Sequence, residues 1–397
     1  MNSAEPRLQT AEDQQQIEQK LLESVEALLP RFKDRTEETL QLRKVPQASI
    51  DELQETGFFL ALQPRQFGGY EMSPQGFFKT AIKISEACMS TAWASGIIAV
   101  HAFQLALMDE RAQKDVWSNN IHTRVSSSYA PMGKIEVVED GFKLSGRWGW
   151  SSGSDHCTWV LLGAIVPNDG YRTFLVPMPD YRIEDTWQAM GLQGTGSNDI
   201  VVEDAFVPAY RTHRQIDGFQ LTNPGYAVSD APLYRIPWAQ IFARTVCSPA
   251  IGATRAAIEL FKQGALGKAS NDPTKLAQDT ATQMLVANAI TEIDEIEAIL
   301  YRNFDRMTDA VNAGQEIPLQ DRVLYRYQAS LVIEKCIDAI DSLFNSAGGR
   351  SVFLGSEIQQ RFLDIHTARA HVANNPTPFA RNLGAMQLGM ENTDFFI

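Results

Sequence analysis

The sequence predicts an α+β chain in which a small β block sits between two helical parts. Three observations carry this. Apolar residues recur at helical spacing up to about residue 118, the pattern changes to alternation broken by turn residues from about 123 to 210, and long Ala/Leu/Ile-rich segments return after a Pro/Gly-containing connector. The expected division is an N-terminal helical domain over 1–122, a central β-barrel or sandwich domain over 123–212, and a connector with a helical bundle over 213–397.

The elements follow in chain order. IEQKLLESVEALLPRF (17–32) and ASIDELQETGFF (48–59) place apolar residues on one helical face, and Ser73 to Met108 has the length and apolar breadth of a pair of core helices. RVSSSYAP, KIEVV, FKLSGRWGW, TWVLLGAIV, YRTFLVPM and NDIVVEDAFVP read as strands, with EDG (139–141) as a hairpin turn. After TNPGYAVSDAPLYRIP, the segments Val246–Lys262, Pro273–Ala313 and Pro318–Ser346 read as long bundle helices.

Composition narrows the partners. The chain has 397 residues and a net charge of -13, so it lacks the basic surface that binding a nucleic-acid phosphate backbone needs. Cys88, Cys157, Cys247 and Cys336 are scattered without a CxxC pair, as expected for reduced thiols in a cytoplasmic enzyme rather than for a disulfide framework or zinc site. The N-terminus, MNSAEPRLQTAEDQQQ, is polar and acidic and does not read as a signal peptide. The most apolar long stretch, Trp93 to Met108, is too short and too polar to span a membrane.

Familiar catalytic motifs are missing: there is no GxGxxG after a strand, no P-loop, no HExxH and no GxSxG. Ser154, Asp155 and His156 suggest a hydrolytic triad, but neighbouring strand residues point to opposite faces and cannot form a relay. His366 and His371 are five residues apart, which on a helix turns them by about 500°, so they do not pair on a metal and no metal site is expected. GLQGTGSND (191–199) reads either as a surface loop or as a loop whose Gly194, Thr195 and Ser197 contact a cofactor. Gly348 and Gly349 in NSAGGRSVF read either as a helix C-terminus or as a close approach to a ligand phosphate. In WGWSSGSDH, Trp148 and Trp150 are two apart and so share a strand face. The hydroxyls of Ser151 and Ser152 beside them need partners, which a planar cofactor would supply.

These stretches together resemble the flavin-dependent monooxygenases of the acyl-CoA dehydrogenase fold, the oxygenase components of two-component aromatic hydroxylases. The resemblance runs from about Leu42 to the C-terminus, through LRKVP, FFLALQPRQFGG, STAWASGIIAVHAFQLAL, RVSSSYAPMG, WGWSSGSDH, GLQGTGSND, FNSAGGRSVF and LDIHTARAH. It implies a homotetramer and a small aromatic substrate, a phenol or a related ring such as indole. It also implies reduced FMN or FAD delivered by a separate NAD(P)H-flavin reductase. Oxygen would add at flavin C4a, and the hydroperoxide would hydroxylate the ring. By the same resemblance Ser152 matches the serine bonded to flavin N5, and His371 matches a histidine near the hydroperoxide. His101 and Ser127 match the pair that contacts the phenol, and Trp93 matches an aromatic residue of that site. One departure is Gln240, which stands where p-hydroxyphenylacetate-type members carry an arginine. The alternative is an acyl-CoA dehydrogenase-like FAD oxidoreductase. Val372 stands where such enzymes commonly place their glutamate, and valine cannot remove a proton.

Overall fold

The computed structural model describes residues 11–266 and 273–397, so the first ten residues of the polar N-terminal stretch lie outside the described residues. The first part contains α1 (Ala11–Glu26), α2 (Leu29–Asp34), α3 (Thr36–Leu42), α4 (Gln47–Thr56), α5 (Pro74–Ala87), α6 (Met89–Ala106) and α7 (Glu110–Trp117). The segment 17–32, expected as one helix, is divided because Pro30 takes a first-turn position of α2, where its missing N–H is not needed. The Ser73 hydroxyl caps α5 by accepting from the Gly76 amide at 3.0 Å. Helix α6 has no solvent-facing polar side, and all its side chains are buried. This is the pattern of a helix enclosed on every side.

The β block is one seven-stranded sheet: β1 (Val125–Val138), β2 (Gly141–Ser151), β3 (Trp159–Val166), β4 (Gly170–Pro177), β5 (Tyr181–Glu184), β6 (Asn198–Pro208) and β7 (Thr212–Arg214). The order is β5-β6-β2-β1-β3-β4-β7. Among the described residues only the β1–β3 pair is parallel. RVSSSYAP and KIEVV, expected as separate strands, are the two halves of β1. Its first half pairs with β3 and its second with β2, and the register shifts between Ser128 and Gly133. The expected hairpin turn forms at Glu139–Asp140, with Asp140 at φ +61°. Strands β5 and β7 have four and three residues, too short to show a period in sequence.

One expectation about this block is corrected. Trp148 and Trp150 do not share a face. Trp148 is 0% exposed with its indole N–H on the Gly163 carbonyl at 2.8 Å, whereas Trp150 is 70% exposed. The β2–β6 register shifts between Trp148 and Ser151, and Trp150 adopts φ +66°, so the alternation breaks there.

The last part contains α8 (Gln215–Gln220), α9 (Trp238–Thr245), α10 (Ser248–Leu266), α11 (Pro273–Gln278), α12 (Thr280–Asn312), α13 (Leu319–Ser330), α14 (Val332–Ser346), α15 (Glu357–Ala368) and α16 (Pro376–Gln387). Two segments expected as single helices are each divided. Asp279 caps α12 from the Thr282 amide at 2.8 Å, and Leu331 separates α13 from α14. Helix α10 packs on both α5 and α14, so a single apolar core joins the two helical parts. The sheet has its own core around Leu144, Trp148, Leu162 and Phe174. Among the described residues no helix is long and apolar enough to cross a membrane.

Candidate active site

Helix α6 lies against the first half of β1 and the end of β2, and most of the sequence-predicted site residues meet at this seam. Trp93, Ile97, His101 and Gln104 form one stripe of α6, at spacings of four, four and three residues. Trp93 Nε1 donates to Ser152 Oγ at 3.1 Å. Ser152 Oγ is 2.8 Å from Ser197 Oγ, and Ser197 Oγ is 2.6 Å from Thr195 Oγ1. Thr195 Oγ1 in turn donates to the Leu192 carbonyl at 2.9 Å.

The two ends of this relay set its direction. An indole N–H can only donate and a carbonyl can only accept. Thr195 gives its proton to Leu192, so Ser197 gives its own to Thr195 and Ser152 gives its own to Ser197. Ser152 is left with an open lone pair and no free proton. The Leu192 carbonyl also receives the Thr195 amide at 3.1 Å and the Trp187 indole at 2.8 Å. Leu192 itself stands at φ +50°, a backbone conformation unusual for a bulky residue. Asp364 of α15 holds it there through the Leu192 amide at 2.6 Å. Burial pushes that carboxyl up to about 6, against the amide bond and the Arg361 charge.

At the other end of the stripe, His101 is fully buried, and its Nδ1 lies 2.8 Å from the Val125 carbonyl. The carbonyl must accept, so Nδ1 carries the proton and Nε2 is bare. That Nε2 is buried with no partner among the described residues. Burial pushes the imidazole down to about 4, so it is neutral at physiological pH. His371 has the opposite tautomer. Its Nδ1 accepts the Ala373 amide at 3.1 Å, which leaves the proton on Nε2. Burial, and then the charge of Arg326, hold it down at about 4 as well.

A belt of rings joins the two histidines. Trp93 and Phe242 each lie 6.0 Å from His371 between centroids, Phe242 meets Tyr129 edge-on at 5.1 Å, and Tyr129 lies 6.1 Å from His101. Trp238 closes the belt, 5.4 Å from Phe242 and 6.4 Å from His101. Ser127 is buried two residues before Tyr129 on β1, which places both on the same side of that strand. Tyr129 donates its hydroxyl to Gln104 Oε1, and burial holds the phenol well above its ordinary pKa. The sequence reading missed Tyr129, Trp238, Phe242 and Gln104. The available signals were the i, i+2 spacing of Ser127 and Tyr129 and the i, i+4 spacing of Trp238 and Phe242.

Other expected residues lie apart from this cluster or owe their identity to packing. A Cβ on Gly194 would stand 2.1 Å from Thr39 Cγ2, so this glycine is needed for contact within the chain. Gly348 and Gly349 follow α14 in an exposed turn with nothing within 4 Å of an added Cβ, and Gly348 has φ +81°. They end the helix, and among the described residues no contact joins them to Ser152. The Ser151 hydroxyl is buried without a partner among the described residues. Gln240 is buried and donates to the Arg322 carbonyl at 2.9 Å. Ser154–His156 form a 3-10 turn rather than a strand, which corrects the reason for rejecting a triad. Asp155 is turned to Lys44 at 3.3 Å and Asn198 at 3.2 Å, and His156 to Gln47 at 3.1 Å. His366 and His371 do not share a helix, so no helical rotation relates them. Helix α15 ends at Ala368, so only His366 lies on it, bonded to Asp341 at 2.7 Å.

The residues present fit a reduced flavin. An acceptor-only Ser152 suits a ring N–H, and the exposed indole of Trp150, two residues before it, offers a flat surface.

Comparison with known proteins agrees with this fold. Residues 244–376 match the family model described as acyl-CoA dehydrogenase, C-terminal domain. The chain is 39% identical to the flavin-dependent monooxygenase oxygenase subunit HsaA of Rhodococcus jostii (strain RHA1), over 95% of this chain and 100% of that protein. It is 30% identical to the oxygenase component of p-hydroxyphenylacetate 3-hydroxylase from Acinetobacter baumannii, over 94% of this chain and 89% of that one. The solved structure of the 3-HSA hydroxylase from Rhodococcus sp. RHA1 superposes with a TM-score of 0.92 at 38% identity, covering 95% of this chain and 99% of that one. On the fold and these relatives, the chain belongs to the flavin-dependent monooxygenase oxygenase components built on the acyl-CoA dehydrogenase fold.

Proposed function

We propose that this enzyme hydroxylates a small phenol or related aromatic ring, with a separate NAD(P)H-flavin reductase supplying reduced FMN or FAD. The observation that carries the reading is one aromatic belt joining an acceptor-only Ser152 and two neutral histidines of opposite tautomer. Reduced flavin, when bound, supplies the electrons and the ring position at which oxygen is activated. Ser152 would hold a ring N–H, and Trp93, Trp150, Ser151, Gly194, Thr195 and Ser197 would surround that edge. Gly348 and Gly349 would approach the flavin from a neighbouring copy in a homotetramer. The exposed Val352, Phe353 and Leu354 beside them support such an assembly.

His101 Nε2 would accept the phenol hydroxyl, with Ser127 as the second contact. A phenol near pKa 10 and an imidazole near 4 differ by roughly 8 kcal/mol in proton affinity, so His101 polarises the O–H bond without removing its proton. His371 Nε2–H would donate to the oxygen being transferred, and the belt excludes water from it. The same reading divides the chain at 122 and 212. Four buried free thiols suit a cytoplasmic enzyme.

The test supplies reduced flavin, labelled oxygen and a panel of phenols and indoles, and looks for one labelled atom in the ring product. Acyl-CoA reducing the bound flavin, with no oxygenated product from any ring, would sink the proposal.

A further inference from the structure

The face of α9 turned away from the aromatic belt carries Gln240 and Arg244, one turn apart, and packs on α13. Helix α13 carries Arg322 and Arg326 at the same spacing, and Gln240 joins the helices through the Arg322 carbonyl. Arg244 is 3% exposed and Arg326 is 1% exposed. Arg326 donates Nη2 to the Ala373 carbonyl at 3.0 Å and lies 3.5 Å over the Phe379 ring. Its Nε and Nη1 have no partner among the described residues, and neither do Nη1 and Nη2 of Arg244.

These nitrogens lie unpaired in the interior of a chain whose 48 acidic residues outnumber its 35 basic ones. Among the described residues the counter-charge is incomplete: an acid acts on Arg326 and none acts on Arg244. Asp394 is the acid whose field reaches Arg326, its Oδ1 also accepting the Phe396 amide at 2.8 Å, so there is one carboxylate for two guanidinium groups. Cys247 feels both guanidinium groups, yet its thiol donates to the Arg244 carbonyl at 3.6 Å and burial pushes its pKa up, so it is uncharged. Buried cations without a counter-charge are strongly disfavoured, and guanidinium groups pair well with small anions.

We infer that Arg244 and Arg326 together hold a small monovalent anion in a buried site of its own between α9 and α13. The site lies directly behind the reacting cluster, because Ala373, whose carbonyl Arg326 holds, gives its amide to His371. The inference rests on the pairing of buried charge and is independent of the hydroxylation reading.

The test compares thermal unfolding of the full chain in sodium bromide and in sodium gluconate, whose anion is several times larger, at equal ionic strength. About 0.2 M bromide should raise the midpoint by about 3 °C, and Arg244→Met should abolish that difference. Crystals of the unsubstituted chain grown in bromide should give an anomalous peak between the two guanidinium groups, which keeps the test decisive should the variant fail to fold. Equal melting in both salts overturns the inference, even beside a bromide peak, which would then mark an adventitious ion. So does a crystal in which water or an acid of a neighbouring copy fills the space.

Discussion

The direction of the hydroxyl relay makes a quantitative claim about flavin redox state, and Thr195→Val tests it. In the folded chain Thr195 accepts from Ser197 at 2.6 Å and donates to Leu192 at 2.9 Å, which commits the Ser152 proton to Ser197 at 2.8 Å. Ser152 can then accept the N–H of a reduced flavin. Oxidised flavin has a bare nitrogen at that position, and to meet it Ser152 would have to withdraw its proton from Ser197. That sacrifices one buried hydrogen bond, about 1–2 kcal/mol, so reduced flavin should bind roughly 5- to 30-fold more tightly from this term. Valine has nearly the volume of threonine but neither accepts nor donates. Without Thr195 to receive it, the Ser197 proton turns to Ser152, and the Ser152 proton is freed for an acceptor. The ratio of the two dissociation constants should therefore fall at least about fivefold, mainly through tighter binding of oxidised flavin. Anaerobic titration of the reduced form, and fluorescence titration of the oxidised form, give the two constants. An unchanged ratio in a folded variant that still binds reduced flavin would refute the assigned direction.

Further expectations follow from the same geometry. Ser152→Ala removes the acceptor and should raise hydrogen peroxide released per ring hydroxylated by about 5- to 100-fold, measured by peroxidase-coupled assay beside product quantification. His101→Asn should lower product formation by about 10²-fold or more while oxygen consumption with reduced flavin continues. Acid should destabilise the fold through His101. Its pKa lies near 4 when folded and near 6.5 when unfolded, so its contribution, about 3 kcal/mol, is complete above pH 6.5 and lost as pH falls toward 4. Denaturant unfolding of the unsubstituted chain and of His101→Asn across that range should show a shallower acid loss in the variant. Gly194→Ala should cost about 1–3 kcal/mol because its new Cβ would meet Thr39 Cγ2. Thr39→Ser deletes that methyl and should restore most of the loss, as read by the melting midpoint.

The sequence by itself determined the order of the three blocks, because hydrophobic period is a local property. It also located α5 and α6, the hairpin at Asp140 and the longer strands. The short β5 and β7 were not legible, since three or four residues carry no period. Nor was the position of Trp150, because a register shift and a positive φ override strand alternation at that residue. Among site residues, Ser152, Ser197 and Thr195 come from short stretches of the sequence and Trp93, His101 and His371 from the family resemblance, and the fold brings them to one seam. What they do there depends on groups distant in the chain. The Val125 carbonyl sets the tautomer of His101, the Ala373 amide sets that of His371, and Leu192, held by Asp364 of α15, sets the direction of the relay. Hydrogen-bond direction and imidazole protonation depend on which partner lies across the seam and on exclusion of water, and neither exists before the helices and sheet pack together.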